Sequence, residues 1–411
     1  MRVLAFYISV FLIGCSHSNE TAPTAAAGLE QFTVFEAGTH GYAHYRIPAI
    51  VVSPKGTLMA FAEARKNTSG DWGPIDLVMR RSKDSGESWD EQRVIAQVEG
   101  EIQQNPVAFA QGLAKPGEVT YNNLAPIVDH EHGLVHFLFA VEYARIYYMR
   151  SDDDGETFST PVDVTAAFES FRPEYDWKVV ATGPGHGIRL DNGRLLVPIW
   201  MSNGTGGHAH RPSAVATIYS DDNGGSWQRG DIVVQHPELV NPSETLAIQL
   251  ADGRVMLNIR HESPSHRRAI SVSADGATGW SEIRLQPELL EPVCMGSLIR
   301  LSTAEDSDKN RMIFVNPDTD EPRDSANPDG NRVRQNVTVQ LSYDEGQTWT
   351  VKKVLEPGLS SYSDLAVGPG GEIYCLYERG QVEADRYYTS RVTLARFDLE
   401  WLTDGADSLK R

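Results

Sequence analysis

Cysteine is scarce: 3 in 411 residues, at positions 15, 294 and 375. That number cannot build a disulfide framework in a chain of this size. Cys294 and Cys375 each sit in an apolar run, so buried free thiols are expected there. Positive charge is scarce too. With 37 Lys+Arg against 56 Asp+Glu the net charge is −19, and no basic surplus exists to displace counterions, which excludes nucleic acid as a partner. No segment carries sustained helical periodicity. Metal and dinucleotide signatures also fail. His261-Glu262-Ser-Pro-Ser-His266 is one residue too long for the zinc-protease spacing and contains Pro. Gly183-x-Gly185 is not followed by a helical pattern. Neither metal nor cofactor is expected.

The longest N-terminal apolar run, Val3 to Ile13, follows Arg2 and is far too short to span a bilayer. It reads as a secretion signal over residues 1–15. Its end, Leu12-Ile13-Gly14-Cys15, resembles a bacterial lipobox, which implies a lipid on Cys15 and a periplasmic or outer-membrane location. Without lipidation the protein is expected to be periplasmic or extracellular. Residues 16–30 (SHSNETAPTAAAGLE) read as a flexible tether, 31–403 as one folded domain and 404–411 as a tail.

Against these absences stands a repeat. Ser-x-Asp-x-Gly-x-x-aromatic occurs at Ser82–Trp89, Ser151–Phe158, Ser220–Trp227 and Ser342–Trp349, with a weaker copy from Ser273 to Trp280. Asp-x-Gly between β-branched runs is hairpin chemistry: Asp bonds its own backbone and Gly supplies a positive φ. A second series is independent of the first. Apolar runs follow turn glycines at Gly56, Gly133, Gly193, Gly253 and Gly371, and a further run, Met312 to Asn316, lacks the Gly. After a longer first interval these lie about 60 residues apart. Each is preceded by another strand-like run. Units of this length, built of several short strands, predict an all-β fold, a six-bladed β-propeller.

In a propeller the equivalent strand ends gather on one face around the axis. Ten residues before each turn Gly come Arg46, Asn123, Gly183, Ser243 and Ser361. Nine before come Ile47, Leu124, Pro184, Glu244 and Tyr362. Seven after come Glu63, Ala140, Trp200, Arg260 and Glu378. Charges at crowded strand ends cost desolvation unless they pair or bind something. An ion-pair plug and an anion site both satisfy that demand.

Arg46-Ile47-Pro48-Ala49 followed by several Ser-x-Asp-x-Gly boxes resembles the sialidase (neuraminidase) superfamily, over about Phe32 to Leu402. The resemblance implies three arginines that clamp a substrate carboxylate: Arg46, Arg260 and Arg334. Arg332 is the alternative to the last, two residues away on the same strand face. It implies Glu378 as the partner orienting Arg46, Tyr362 as nucleophile and Glu244 as its base. A tyrosine nucleophile departs from the two-carboxylate rule of most glycosidases. The physical reason is charge, since an anionic Asp or Glu would be repelled by the carboxylate on the anomeric carbon of a sialic acid. A phenol deprotonated only as it attacks avoids this.

The same resemblance implies Asp71, on the Gly70-Asp71-Trp72-Gly73 loop after Glu63 and Arg65, as acid/base, with Asp76 as the alternative. Arg65, Trp177 and His186 are expected to border the sugar. The segment through Gly183-Pro184-Gly185-His186-Gly187 is expected on its glycerol or N-acyl side. Trp72, Trp177 and Trp200 are candidate apolar walls, and the 203–211 loop with His208, His210 and Arg211 a candidate rim. The implied activity is retaining exo-α-sialidase action on sialylated glycans. An intramolecular trans-sialidase, a hydrolase of a related 2-keto-3-deoxy sugar acid and a non-catalytic glycan-binding propeller remain open alternatives.

Overall fold

The computed structural model describes residues 28–67, 70–205, 207–327, 330–382 and 389–410. The leader, Cys15 and most of the 16–30 tether lie outside them. The architecture is an all-β propeller. Among the described residues three helices, each a turn or so long, occur at Pro106–Ala110, Ala166–Glu169 and Leu399–Leu402.

Successive blocks of the chain form antiparallel meanders. One is His44–Val52, Leu58–Arg65, Ile75–Ser82 and Arg93–Val94. The next is Tyr121–Asp129, Leu134–Val141, Arg145–Ser151 and Val162–Asp163. In the third, Val179–Thr182 and Ile188–Arg189 both pair with Leu195–Ser202, followed by Ser213–Ser220 and Gln228–Gln235. The fourth is Thr245–Gln249, Val255–Ile259, Arg267–Ser273 and Arg284–Leu290. A seven-stranded sheet follows, in the order Ser297–Ser302, Arg311–Pro317, Gln335–Ser342, Val351–Val367, Ile373–Arg379, Arg391–Phe397 and Leu29–Glu36. Its 17-residue strand Val351–Val367 pairs with Gln335–Ser342 through its first part and with Ile373–Arg379 through its last.

The first strand of each block faces the axis. His44–Val52 contacts Tyr121–Asp129, which contacts Val179–Thr182 and Ile188–Arg189. Ile188–Arg189 contacts Thr245–Gln249, then Ser297–Ser302 follows, and the end of Val351–Val367 returns to His44–Val52. The ring is closed by chain ends, because Leu29–Glu36 adds antiparallel to Arg391–Phe397. This pairing covers an edge that would otherwise be open. The strand begins at Leu29, ahead of the residue-31 boundary read from sequence. The C-terminal segment is docked rather than a free tail. Asp407 takes Nε of Arg311 at 2.8 Å and the Tyr343 hydroxyl at 2.8 Å.

Every second strand is sandwiched between neighbouring sheets, so Leu58–Arg65, Leu134–Val141 and Leu195–Ser202 are buried along their whole length. This is why their sequences run apolar on both faces instead of alternating. The core is correspondingly divided into clusters between consecutive sheets. Phe61 and Met79 pack on Phe137 and Phe139, and Leu138 and Ile146 on Val197 and Trp227.

The repeated turns share one geometry. In the first, Ser82 Oγ accepts from Gly86 N at 2.8 Å and donates to Asp84 Oδ1 at 2.7 Å, which also takes Ser88 N at 2.9 Å. Gly155, Gly224 and Gly346 repeat the bond to Ser151, Ser220 and Ser342. Ser85, Asp154, Asn223 and Glu345 take positive φ just before the glycines. The two consecutive left-handed residues are what a tight hairpin of this hand requires. Ser82 is in register with Leu58 and Leu58 with Val52. The boxes therefore lie at the strand ends opposite Arg46, and they are scaffold, not chemistry.

Candidate active site

The Arg46 end of the ring carries a cavity of about 440 Å³, lined among others by Arg46, Asp71, Glu244, Arg260, Arg334 and Tyr362. Arg46 is aimed there by a bulge. The register of His44–Val52 slips between Arg46 and Ala49, and Ile47 takes φ +54. A β-branched residue in that region is a genuine outlier, held only where its surroundings demand it. The demand comes from Glu378. Its carboxylate accepts Ile47 N at 2.9 Å and grips the guanidinium of Arg46 with Nε at 3.1 Å and Nη2 at 3.2 Å. Glu378 is fully buried, so this bidentate pair is shielded from solvent.

Tyr362 and Glu244 meet across the axis. The Tyr362 hydroxyl donates to Glu244 Oε1 at 2.6 Å and accepts from Arg260 Nη1 at 2.7 Å, while Arg260 also pairs with Glu244. The guanidinium of Arg46 lies 5.2 Å and that of Arg334 5.0 Å from the centre of the Tyr362 ring. Arg334 Nη2 donates to the carbonyl of Val293 at 2.7 Å. Burial raises the Tyr362 phenol well above its ordinary range and Glu244 adds to that, against the opposing pull of Arg260 and Arg334. The resting phenol is neutral.

Asp71 sits across the cavity with its side chain 45% exposed. Its Oδ1 is 3.1 Å from Arg65 Nη2, which also holds Glu63 Oε2 at 2.7 Å. Arg65 Nη1 donates to Gly70 O at 2.8 Å, fixing the loop. Desolvation within the cavity pushes the Asp71 carboxyl up, but the cations of Arg65 and Arg46 outweigh this and hold it below the ordinary carboxylate range. Asp76, the alternative, accepts from Tyr42 at 2.7 Å and pairs with Lys66 on its strand, outside the cavity lining. Arg332 pairs with Asp320 at 2.9 Å, and it is Arg334 that lines the cavity.

Of the three residues expected to border the sugar, Arg65 is fully buried behind Asp71 and does not line the cavity, and the other two lie elsewhere. Trp177 is buried beneath Arg172, whose guanidinium stacks 3.8 Å from its ring, and its Nε1 donates to Phe168 O at 2.8 Å. It packs in the core because the chain folds back there under the Ala166–Glu169 turn. His186 opens onto the opposite mouth of the ring, in a cavity of about 960 Å³ beside Val52 and Val367. There its Nδ1 meets Asp364 Oδ1 at 2.8 Å. The rim loop does reach the site: His208, His210 and Arg211 line the cavity, as does Trp200, while Trp72 stacks 4.6 Å behind Tyr143.

Sequence reasoning missed Tyr143, Asn241 and Glu262. Tyr143 caps a hairpin with Glu142 and Tyr143 at φ +57 and +49, and no Gly or Asn marks the turn. Glu262 accepts Arg211 Nε at 2.9 Å and Asn241 Nδ2 at 2.8 Å, tying the rim loop to the cavity wall. Burial lowers the His210 imidazole to about 4, so it is neutral near pH 7. Cys294 and Cys375 are free and buried. Among the described residues no cluster of His, Cys, Asp and Glu could hold a metal, and no helix is long and apolar enough to cross a membrane.

A sequence profile of the BNR repeat-like domain matches residues 121–375, more than half of the chain. A sialidase of Micromonospora viridifaciens is 29% identical over 391 residues, covering 89% of this chain and 53% of its own length. A sialidase of Bacteroides fragilis is 28% identical over 372 residues, covering 84% and 62%. The chain thus spans little more than half the length of these relatives. Among solved structures, the Hadza microbial sialidase Hz136 superposes with a TM-score of 0.71 at 25% identity, over 90% of this chain and 69% of that one. The chain belongs to the BNR repeat-like family, within the sialidase superfamily.

Proposed function

We propose that the protein is a retaining exo-α-sialidase that releases terminal sialic acid from glycoconjugates through a tyrosyl intermediate. One observation carries the reading: a Tyr362 hydroxyl 2.6 Å from Glu244, in the cavity that Arg46, Arg260, Arg334 and Asp71 also line. Guanidinium forks match a carboxylate and stay charged. A neutral phenol can approach the anomeric carbon that bears this carboxylate. As it attacks, its proton passes to Glu244, the new bond forms from Tyr362 Oη, and the glycosidic bond breaks with its electron pair on the leaving oxygen. Asp71 protonates that oxygen, then takes a proton from the water that cleaves the aryl-glycoside bond to Tyr362, whose oxygen recovers its proton from Glu244. Asp71 is ionised in the free protein, so its proton must be taken up as substrate binds. The substrate carboxylate, by neutralising nearby arginines, works in that direction.

Supporting features of the wider reading are the shared strand Val351–Val367, which lets the seven-stranded sheet count as two blades and the ring as six. A lipid on Cys15 belongs to the same proposal. Leu29 is in register with Phe397, Phe397 with Ile373, and Ile373 with Val367. The first strand therefore starts on the face opposite the cavity, and an anchor there would leave the cavity facing away from the membrane.

The test is hydrolysis of an aryl α-sialoside with NMR identification of the product. Sialic acid released first as the α-anomer supports the proposal. An anhydro sugar would assign intramolecular transfer instead, and binding without turnover would reduce the protein to a lectin. Tyr362→Phe should lose most turnover while remaining folded.

A further inference from the structure

Behind the cavity, and not among its lining residues, lies an ion pair with no exposed surface, Arg268 and Glu291. Arg268 is held on every side. Its Nε donates to Asn258 Oδ1 at 2.5 Å and its Nη2 to Asn258 O at 3.1 Å. Its Nη1 reaches Glu291 Oε2 and the carbonyl of Cys294 at 3.1 Å. Glu291 Oε1 accepts Cys294 N at 3.0 Å. Both polar groups of one peptide residue, Cys294, are thus clamped by the pair.

The residue before it is Val293, which takes φ +61 and lines the cavity. A β-branched residue adopts that conformation only under constraint. The carbonyl of Val293 is the acceptor of Arg334 Nη2 at 2.7 Å. A buried ion pair is poor value as a stabilising device, because apolar residues of like size usually serve as well. Here it fixes a strained turn whose carbonyl holds a cavity arginine.

We propose that Arg268 and Glu291 are positioning residues that set the guanidinium of Arg334, through the Cys294 clamp and the Val293 carbonyl, for a substrate carboxylate. The inference rests on the reading of the cavity as a sialic acid site.

The test replaces the pair together, Arg268→Met/Glu291→Met, so that no buried charge is left without a partner. Affinity for a 2,3-unsaturated sialic acid analogue is measured by calorimetry, and KM and kcat on an aryl α-sialoside. The expected result is a rise of about tenfold in Kd and KM, the worth of one charge-assisted hydrogen bond, with kcat within about threefold of wild type. In an Arg334→Met background the same double replacement should change Kd less than about twofold, since the groups then act as one unit. Arg268→Met/Glu291→Gln restores an acceptor for Cys294 N and should recover part of the affinity. Unchanged Kd in the double variant overturns the proposal, as does an equal loss in the Arg334→Met background or a fall in kcat with KM unmoved. If the wild type itself fails to bind the analogue, the reading of the cavity falls first and this inference with it.

Discussion

Replacing Glu244 by Gln tests the centre of the proposed chemistry. In the protein Glu244 makes two contacts in the cavity, the 2.6 Å bond from Tyr362 and the ion pair with Arg260. Glutamine is nearly isosteric, and its carbonyl can still accept the phenolic hydrogen. What it cannot do is take the proton away. Removing a general base costs about 10²- to 10⁴-fold in rate, which is about 2.7 to 5.5 kcal/mol on the barrier. Arg260 keeps its bond to the Tyr362 oxygen and gains freedom to face a ligand. The expected outcome is a kcat on an aryl α-sialoside lowered by about 10²-fold or more, with KM within about threefold, in a protein whose near-UV circular dichroism matches wild type. A folded Glu244→Gln variant with kcat within about threefold of wild type would refute the assignment of Glu244 as base. A KM rise with kcat unchanged would instead make Glu244 a holder of Arg260.

Three further outcomes follow from the geometry. A 2,3-difluorosialic acid is expected to add covalently to Tyr362, and mass spectrometry of the digest should find the label on the peptide containing that residue; label on Asp71 or Glu244 would point to a carboxylate nucleophile. The cation of Arg65 lowers the Asp71 carboxyl, so Glu63→Gln/Arg65→Met should raise the Asp71 pKa. The alkaline limb of kcat, where the protonated acid of the substrate complex is lost, then moves to higher pH, and a profile between about pH 4 and 9 that stays put or moves down contradicts the role of Asp71. Ser342→Ala removes the bonds to Gly346 N and Asp344 Oδ1, each at 2.9 Å, and is expected to cost about 1 to 3 kcal/mol in urea unfolding while leaving kcat/KM unchanged, because the turn lies at the far strand ends.

What could be read from the sequence, and what could not, divides along physical lines. The repeated turns were legible because Asp, Gly and an aromatic at fixed spacing have few other uses. Glu244 and Tyr362 were legible through the family resemblance, helped by their equivalent repeat positions, and the hydroxyl and carboxylate do meet. Tyr143 left no trace, since its left-handed hairpin lacks the residues that announce one. Trp177 and His186 carried the right chemistry at the wrong address. Their positions depend on how the third sheet folds back on itself, with two short strands pairing on Leu195–Ser202, and no local pattern encodes that. The clamp on Cys294 was equally silent. Arg268 and Glu291 are 23 apart in sequence, and each alone reads as a solvated charge. The strand Val351–Val367 showed itself only by its axial half, Ser361 to Val367, which is buried from Ser361 to Ala366, whereas the outer half is largely half-buried or exposed.

The arrangement also bears on how a protein of net charge −19 would hold the proposed anionic substrate. Guanidiniums crowded around one cavity would repel if they were bare, and each is instead held by an acceptor. Arg46 has Glu378, Arg260 has Glu244 and Arg334 has the Val293 carbonyl. Glu378 is covered, whereas Glu244 lines the cavity beside Arg260. Glu244 differs from Glu378 in a further respect: it also receives the Tyr362 hydroxyl. In the proposed reaction it takes the phenolic proton, and its pairing with Arg260 weakens at that moment. Arg260 is then freer to bind the substrate carboxylate just as negative charge leaves Tyr362 for the sugar. One acidic residue would thus serve as spacer for an arginine in the resting site and as base in the reaction, which is a physical reason for Glu244, and not a second Glu378-like partner, to stand beside the phenol.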